Sequence, residues 1–132
     1  MKSIFKTAAL VLTLAFTAVS CSSDDDNNSG TGSRDVKYEV TGNYTGDIGA
    51  VYTESGNSGQ NVDINSLPWS KEFTANAETY GAGITVSGNG GIVDQTLTVK
   101  IYVGGKVVKE TTAKATNDGI IVAAPGSYVF PQ

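Results

Sequence analysis

Residues able to do chemistry are few in this 132-residue chain. It contains no histidine and a single cysteine, Cys21. Without imidazole there is no Ser-His-acid relay and no histidine ligand for zinc, and one cysteine forms no internal disulfide. Carboxylates remain as candidates for acid–base work. Asp47, Glu54, Asp63, Glu72, Glu78 and Asp94 are scattered, however, and no spacing gathers them into one site. The runs Gly81-Ala82-Gly83 and Gly88-Asn89-Gly90-Gly91 do not stand between a strand and a helix, so they read as turns and not as phosphate cradles. The residue types point to a protein that is not an enzyme and needs no cofactor or metal.

Cys21 stands in AVSCSSDDDNN, residues 18–28, between an apolar segment and a run of acids. The segment before it, MKSIFKTAALVLTLAFTAVS, has the three parts of a secretory signal: Lys2 and Lys6, an apolar stretch from about Ala8 to Val19, then small residues. A spanning helix needs roughly 20 apolar residues. This stretch is shorter, so residues 1–20 read as a removed signal, the alternative being an uncleaved anchor. Ala18-Val19-Ser20-Cys21 resembles a bacterial lipobox. That resemblance implies that Cys21 is the first mature residue, with a diacylglyceryl thioether on its sulfur and a fatty acyl group on the new amino terminus. One acyl chain holds a protein only marginally, at roughly 0.8 kcal/mol per buried methylene, and two or three hold it stably. A buried thiol is the other common fate of a lone cysteine, but Cys21 lies in no plausible core.

Loss of Lys2 and Lys6 with the signal leaves 7 basic residues against 13 acidic ones, a formal charge of −6. A basic stripe is what a phosphate backbone requires, so nucleic acid is excluded as a partner. Residues 21–34 form the lipidated cysteine and a tether. SSDDDNNSGTGS, residues 22–33, has no aromatic or large aliphatic side chain with which to offset ordering entropy. The acidic run has two compatible readings. Asp24, Asp25 and Asp26 are solvated charges that keep the tether open, and Ser22-Ser23-Asp24-Asp25-Asp26 resembles the Ser/Asp-rich export signal of surface lipoproteins in Bacteroidota. The expected location is the outer membrane, with the cell surface as the option this signal adds. A calcium loop lacks its alternating ligands and closing Glu.

The element that must carry any binding site is the body, residues 35–132, which is long enough for one small domain. Its periodicity is that of strands. Val36, Tyr38 and Val40 alternate with Lys37 and Glu39, and Leu97, Val99, Ile101 and Val103 alternate with Thr98, Lys100 and Tyr102. Tyr102 should therefore face outward. Short runs over 48–53, 60–65, 70–75 and 83–87 are separated by Gly/Asn/Ser clusters, and a last strand is expected over 119–123. Gly104-Gly105 supplies the positive φ angles of a type I′ hairpin joining 96–103 to 106–113. Seven or eight strands and no long amphipathic helix predict an all-β, two-sheet antiparallel sandwich, Ig-like in architecture. The predicted core contains Val36, Tyr38, Val40, Trp69, Leu97, Val99, Ile101 and Val107.

VKYEVTG (36–42), AVYT (50–53), LPWSKEFT (67–74) and VKIYVGGKVVKE (99–110) together resemble the extracytoplasmic domain of the MmpS family, small mycobacterial membrane proteins. The resemblance spans Val36 to about Tyr128, with Leu67-Pro68-Trp69-Ser70 as its most specific piece. It implies an Ig-like sandwich and a role as accessory to large lipid or siderophore exporters. Two features differ. Family members generally reach the domain from a transmembrane helix where this chain has a lipobox and tether, and several carry a cysteine near the position of Val99. Partners expected on this basis are the membrane, through the lipid on Cys21, and an envelope transporter or a surface ligand. A surface adhesion or glycan-binding module is the alternative role, and a carboxylate-based hydrolase a second.

Overall fold

The computed structural model describes residues 33–131. Ten strands follow one another: β1 (Asp35–Gly42), β2 (Asp47–Thr53), β3 (Gly59–Ile64), β4 (Trp69–Thr74), β5 (Gly81–Ala82), β6 (Ile84–Asn89), β7 (Thr96–Val103), β8 (Lys106–Lys114), β9 (Ile121–Ala123) and β10 (Tyr128–Val129). They form one four-stranded sheet in the order β9-β6-β2-β3, a second in the order β4-β1-β7-β8, and a small β5-β10 ribbon. All pairs are antiparallel. The expected two-sheet sandwich is thus present, with eight longer strands and two of only two residues.

Alternation in sequence becomes the two faces of each sheet, because side-chain direction has period two along a strand. Val36, Tyr38 and Val40 of β1 and Leu97, Val99, Ile101 and Val103 of β7 are all buried. Facing them from the first sheet are Ile48, Ala50, Tyr52, Ile84 and Val86. Tyr38 links the two layers. Its ring lies 5.5 Å from that of Tyr52 and 5.7 Å from that of Phe73, and its hydroxyl donates to the Thr53 carbonyl at 2.7 Å.

Two core expectations need correction. Val107 is exposed, at 44 % of its surface. Gly104 and Gly105 have the positive φ angles of the predicted turn, 61° and 82°, and that turn pairs Val107 with Tyr102. Paired residues share a face, and Tyr102 faces outward. A bulge follows: Ile101 pairs with Lys109, so Val108 is skipped and packs against the core edge instead. Trp69 is only half-buried, because β4 is an edge strand. Its indole closes the side of the sandwich, 5.9 Å from the Tyr52 ring, and does not plug the centre.

Tyr44 occupies a slot made by glycines. Its hydroxyl donates to the Gly119 carbonyl and accepts from the Gly91 amide at 3.2 Å. A Cβ at Gly88 would stand 2.6 Å from the ring, one at Gly46 would stand 2.8 Å away, and one at Gly91 would overlap it outright. Of the run expected to be turns only, Gly88 and Gly91 are therefore walls of a packing site, while Gly90, with φ of 80°, is the turn. The expected last strand starts at Ile121, after Gly119 has joined this slot. At the other end, Thr79 is a buried polar residue whose hydroxyl accepts from Gly56 N at 2.7 Å and donates to Asn76 Oδ1 at 2.9 Å. Arg34 donates to the Asn76 and Thr79 carbonyls and lies 4.6 Å over the Phe130 ring, fastening the chain's entry to its exit.

Candidate functional site

Cys21, Ser22, Ser23, Asp24, Asp25 and Asp26 lie outside the described residues. Among the described residues no helix is long and apolar enough to cross a membrane, and no three His, Cys, Asp or Glu side chains gather where they could hold a metal ion. The carboxylates are dispersed. Glu39 pairs with Lys37 at 3.9 Å and accepts from Tyr102 Oη at 2.9 Å. That hydrogen bond is the main reason the Tyr102 phenol is raised above the usual tyrosine value. Glu54 pairs with Lys71 and Glu110 with Lys100. Asp47 and Asp63, the two carboxylates on the strands of the first sheet, have neither an ion partner nor a side-chain hydrogen bond among the described residues.

These two aspartates mark a trough on the outer face of the first sheet. Gly49, in the middle of β2, pairs with Asp63 on one side and Ser87 on the other, and Ser87 in turn pairs with Val122. The missing side chain at Gly49 leaves a floor of bare backbone. A depression of about 500 Å³ runs over it, lined by Asp47, Asp63, Ser87, Asn89 and Ile120. Neither its conformation nor crowding requires this glycine. A Cβ there would meet only the Val62 carbonyl, at 3.7 Å. Glycine inside a strand weakens it and often marks a place where a ligand or another backbone approaches closely.

Charge separates the two outer faces. β2, β3, β6 and β9 carry no lysine or arginine. Lys37, Lys71, Lys100, Lys106, Lys109 and Lys114 all belong to the second sheet, and Arg34 just precedes it. The second sheet's outer face carries the Lys37–Glu39 and Lys100–Glu110 pairs, whereas the first sheet's carries Asp47 and Asp63 among small polar residues and the exposed Val51 and Val122. Beside the trough the sandwich has an open side between the edge strands β3 and β4. Val62, Leu67, Trp69 and Phe73 line it and are only partly buried.

A family model described as Mycobacterium membrane protein matches residues 12–122. The chain belongs to that family. The MmpS-like resemblance read from the sequence is thereby borne out, and the family is one of the cell envelope. No curated protein matches the chain. The matched span takes in β1 through most of β9, so trough and open side both lie within the family domain. Its Leu67-Pro68-Trp69-Ser70 segment forms the rim of the open side, where β4 begins.

Neither feature was found from the residue list. Gly49 was the available signal: a glycine in the middle of an alternating strand, without a turn to need it. Its freedom is testable against a glycine that is required. Gly49→Ala is expected to leave stability unchanged or raise it by about 0.5–1 kcal/mol, the usual penalty of glycine in a strand. Gly91→Ala should lower the melting temperature by several degrees, since it displaces the Tyr44 ring. Thermal melts that reversed this order would remove the case for Gly49 as an optional glycine over a binding surface.

Proposed function

We propose that this is a lipid-anchored cell-envelope protein whose sandwich is a non-enzymatic binding module, accessory to envelope transport. The observation that carries the reading is family membership across residues 12–122. The lipobox-like Ala18-Val19-Ser20-Cys21 supports anchoring by lipid on Cys21 at the outer membrane, and the tether of residues 22–33 lets the domain stand off the headgroups. An open, shallow trough suits recognition more than turnover, because catalytic and cofactor sites usually enclose most of a ligand's surface. A surface adhesion or glycan-binding role is the second reading. It is favoured by the acids Asp24, Asp25 and Asp26 as an export address and by the polar trough, whose lining includes Asp47, Asp63, Ser87 and Asn89.

Deleting the gene and quantifying exported envelope lipids and siderophores tests the first reading. Export should fall severalfold, recover with the wild-type chain, and not recover with Cys21→Ser. Unchanged export, with loss of binding by intact cells to a glycan surface, would overturn it in favour of the second.

A further inference from the structure

An edge strand exposes a row of unpaired backbone donors and acceptors, and folded proteins block such edges with inward charges, prolines, bulges or shortness. Three of the four edges of this sandwich are blocked. β9 has only three residues. β8 carries Lys106, Lys109 and Lys114 and the bulge at Val108. β4 follows Pro68 and turns Lys71 inward, in register with the buried Tyr38, where its ammonium meets Glu54 at 3.4 Å. β3 has none of these devices. Its six residues, GQNVDI, pair with β2 without a register break, contain no lysine or proline, and have no strand on their far side among the described residues.

The surroundings of β3 specify what would pair there. A strand laid along it would alternate its side chains between two environments. The inner set would cover Val62, Trp69 and Phe73, which the open side leaves partly exposed. The outer set would run beside Asp63, with Asp47 across the trough, on a sheet face without a single cation. We infer that β3 is a docking edge for an extended segment of a partner protein that alternates apolar and basic residues, taken up by β-strand addition. The inference rests on the binding-module reading and names the partner chemistry. A second copy of this chain fits less well, since two β3 strands would bring two Asp63-bearing faces side by side.

The test uses the full-length chain in detergent, probed with a short synthetic peptide alternating valine and lysine and with its valine–glutamate counterpart. Backbone amide exchange is followed residue by residue. The lysine peptide should slow exchange across Gly59–Ile64 about tenfold or more, and the glutamate peptide should not. Asp63→Asn should weaken binding about two- to fivefold, the range of an exposed ion pair. Val62→Lys, which copies the Lys71 device into β3, should abolish it while the melting curve stays cooperative. Protection elsewhere, equal response to both peptides, or binding unaffected by Asp63→Asn overturns the assignment. So does protection of β3 that grows with protein concentration in the absence of peptide, which would place a second copy on the edge. Loss of β3 protection with export still dependent on the gene refutes the edge alone; peptide binding with export independent of the gene refutes the transport role alone.

Discussion

Tyr38→Ala is expected to unfold the domain at ambient temperature or bring it close to unfolding. The residue is fully buried, its ring is held between Tyr52 and Phe73, and its hydroxyl joins one sheet to the other through the Thr53 carbonyl. Removing a buried aromatic ring costs about 3–5 kcal/mol. Depriving the part-buried Thr53 acceptor of its donor adds about 1 kcal/mol. A small domain has roughly 5–15 kcal/mol in total. Trp69→Ala should cost less, because part of the indole already meets solvent at the edge. Tyr38→Phe isolates the hydroxyl and should cost about 1 kcal/mol.

Tyr38 also predicts a pH dependence. Burial raises its phenol above the ordinary tyrosine value of about 10. The folded state therefore keeps a proton that the unfolded state loses above pH 10. The stability linked to this proton is fully present below that pH and is lost as pH rises through the folded value. Urea midpoints measured for wild type and Tyr38→Phe should converge as pH rises past 10. A Tyr38→Ala protein with the wild-type midpoint at neutral pH would contradict the placement of the core.

Strand existence and facing were readable from the residues alone wherever apolar and polar side chains alternate. The alternation in 36–40 and 97–103 identified the inner faces, and two consecutive glycines located the β7–β8 turn. What escaped depended on partners distant in the chain. Alternation tells which way Trp69 points but not that β4 lies at an edge, and being at the edge is what leaves the indole half-exposed. Val107 was misplaced because the turn sets it opposite Tyr102 before the bulge resets the register. Tyr44 had no evident role until Gly119, 75 positions later, came to meet its hydroxyl. The trough is likewise a product of sheet order: Asp63, Gly49, Ser87 and Val122 become a row only when β3, β2, β6 and β9 lie side by side. Asymmetric edge protection could have been suspected from sequence, since Lys71 interrupts an otherwise apolar inner face while Val62 does not.

The second large effect concerns anchoring. On the proposed reading Cys21→Ser removes the sulfur that would carry the diacylglyceryl group, and cleavage by the lipoprotein pathway follows lipidation. The variant should therefore accumulate as precursor with residues 1–20 retained, take up no labelled fatty acid, and lose stable membrane attachment through the two or three acyl chains. The sandwich starts fourteen residues later, at Asp35, so its melting behaviour should be unaffected. Labelled fatty acid on the serine variant would overturn the assignment of the lipid to Cys21.

Mass spectrometry of the amino-terminal peptide of the mature protein, taken from its native membrane, tests the account most directly. The predicted result is a peptide that begins at Cys21 and carries a diacylglyceryl thioether together with an acylated amino group. A peptide retaining Met1 and the apolar segment, or one beginning at an unmodified Cys21, would contradict it.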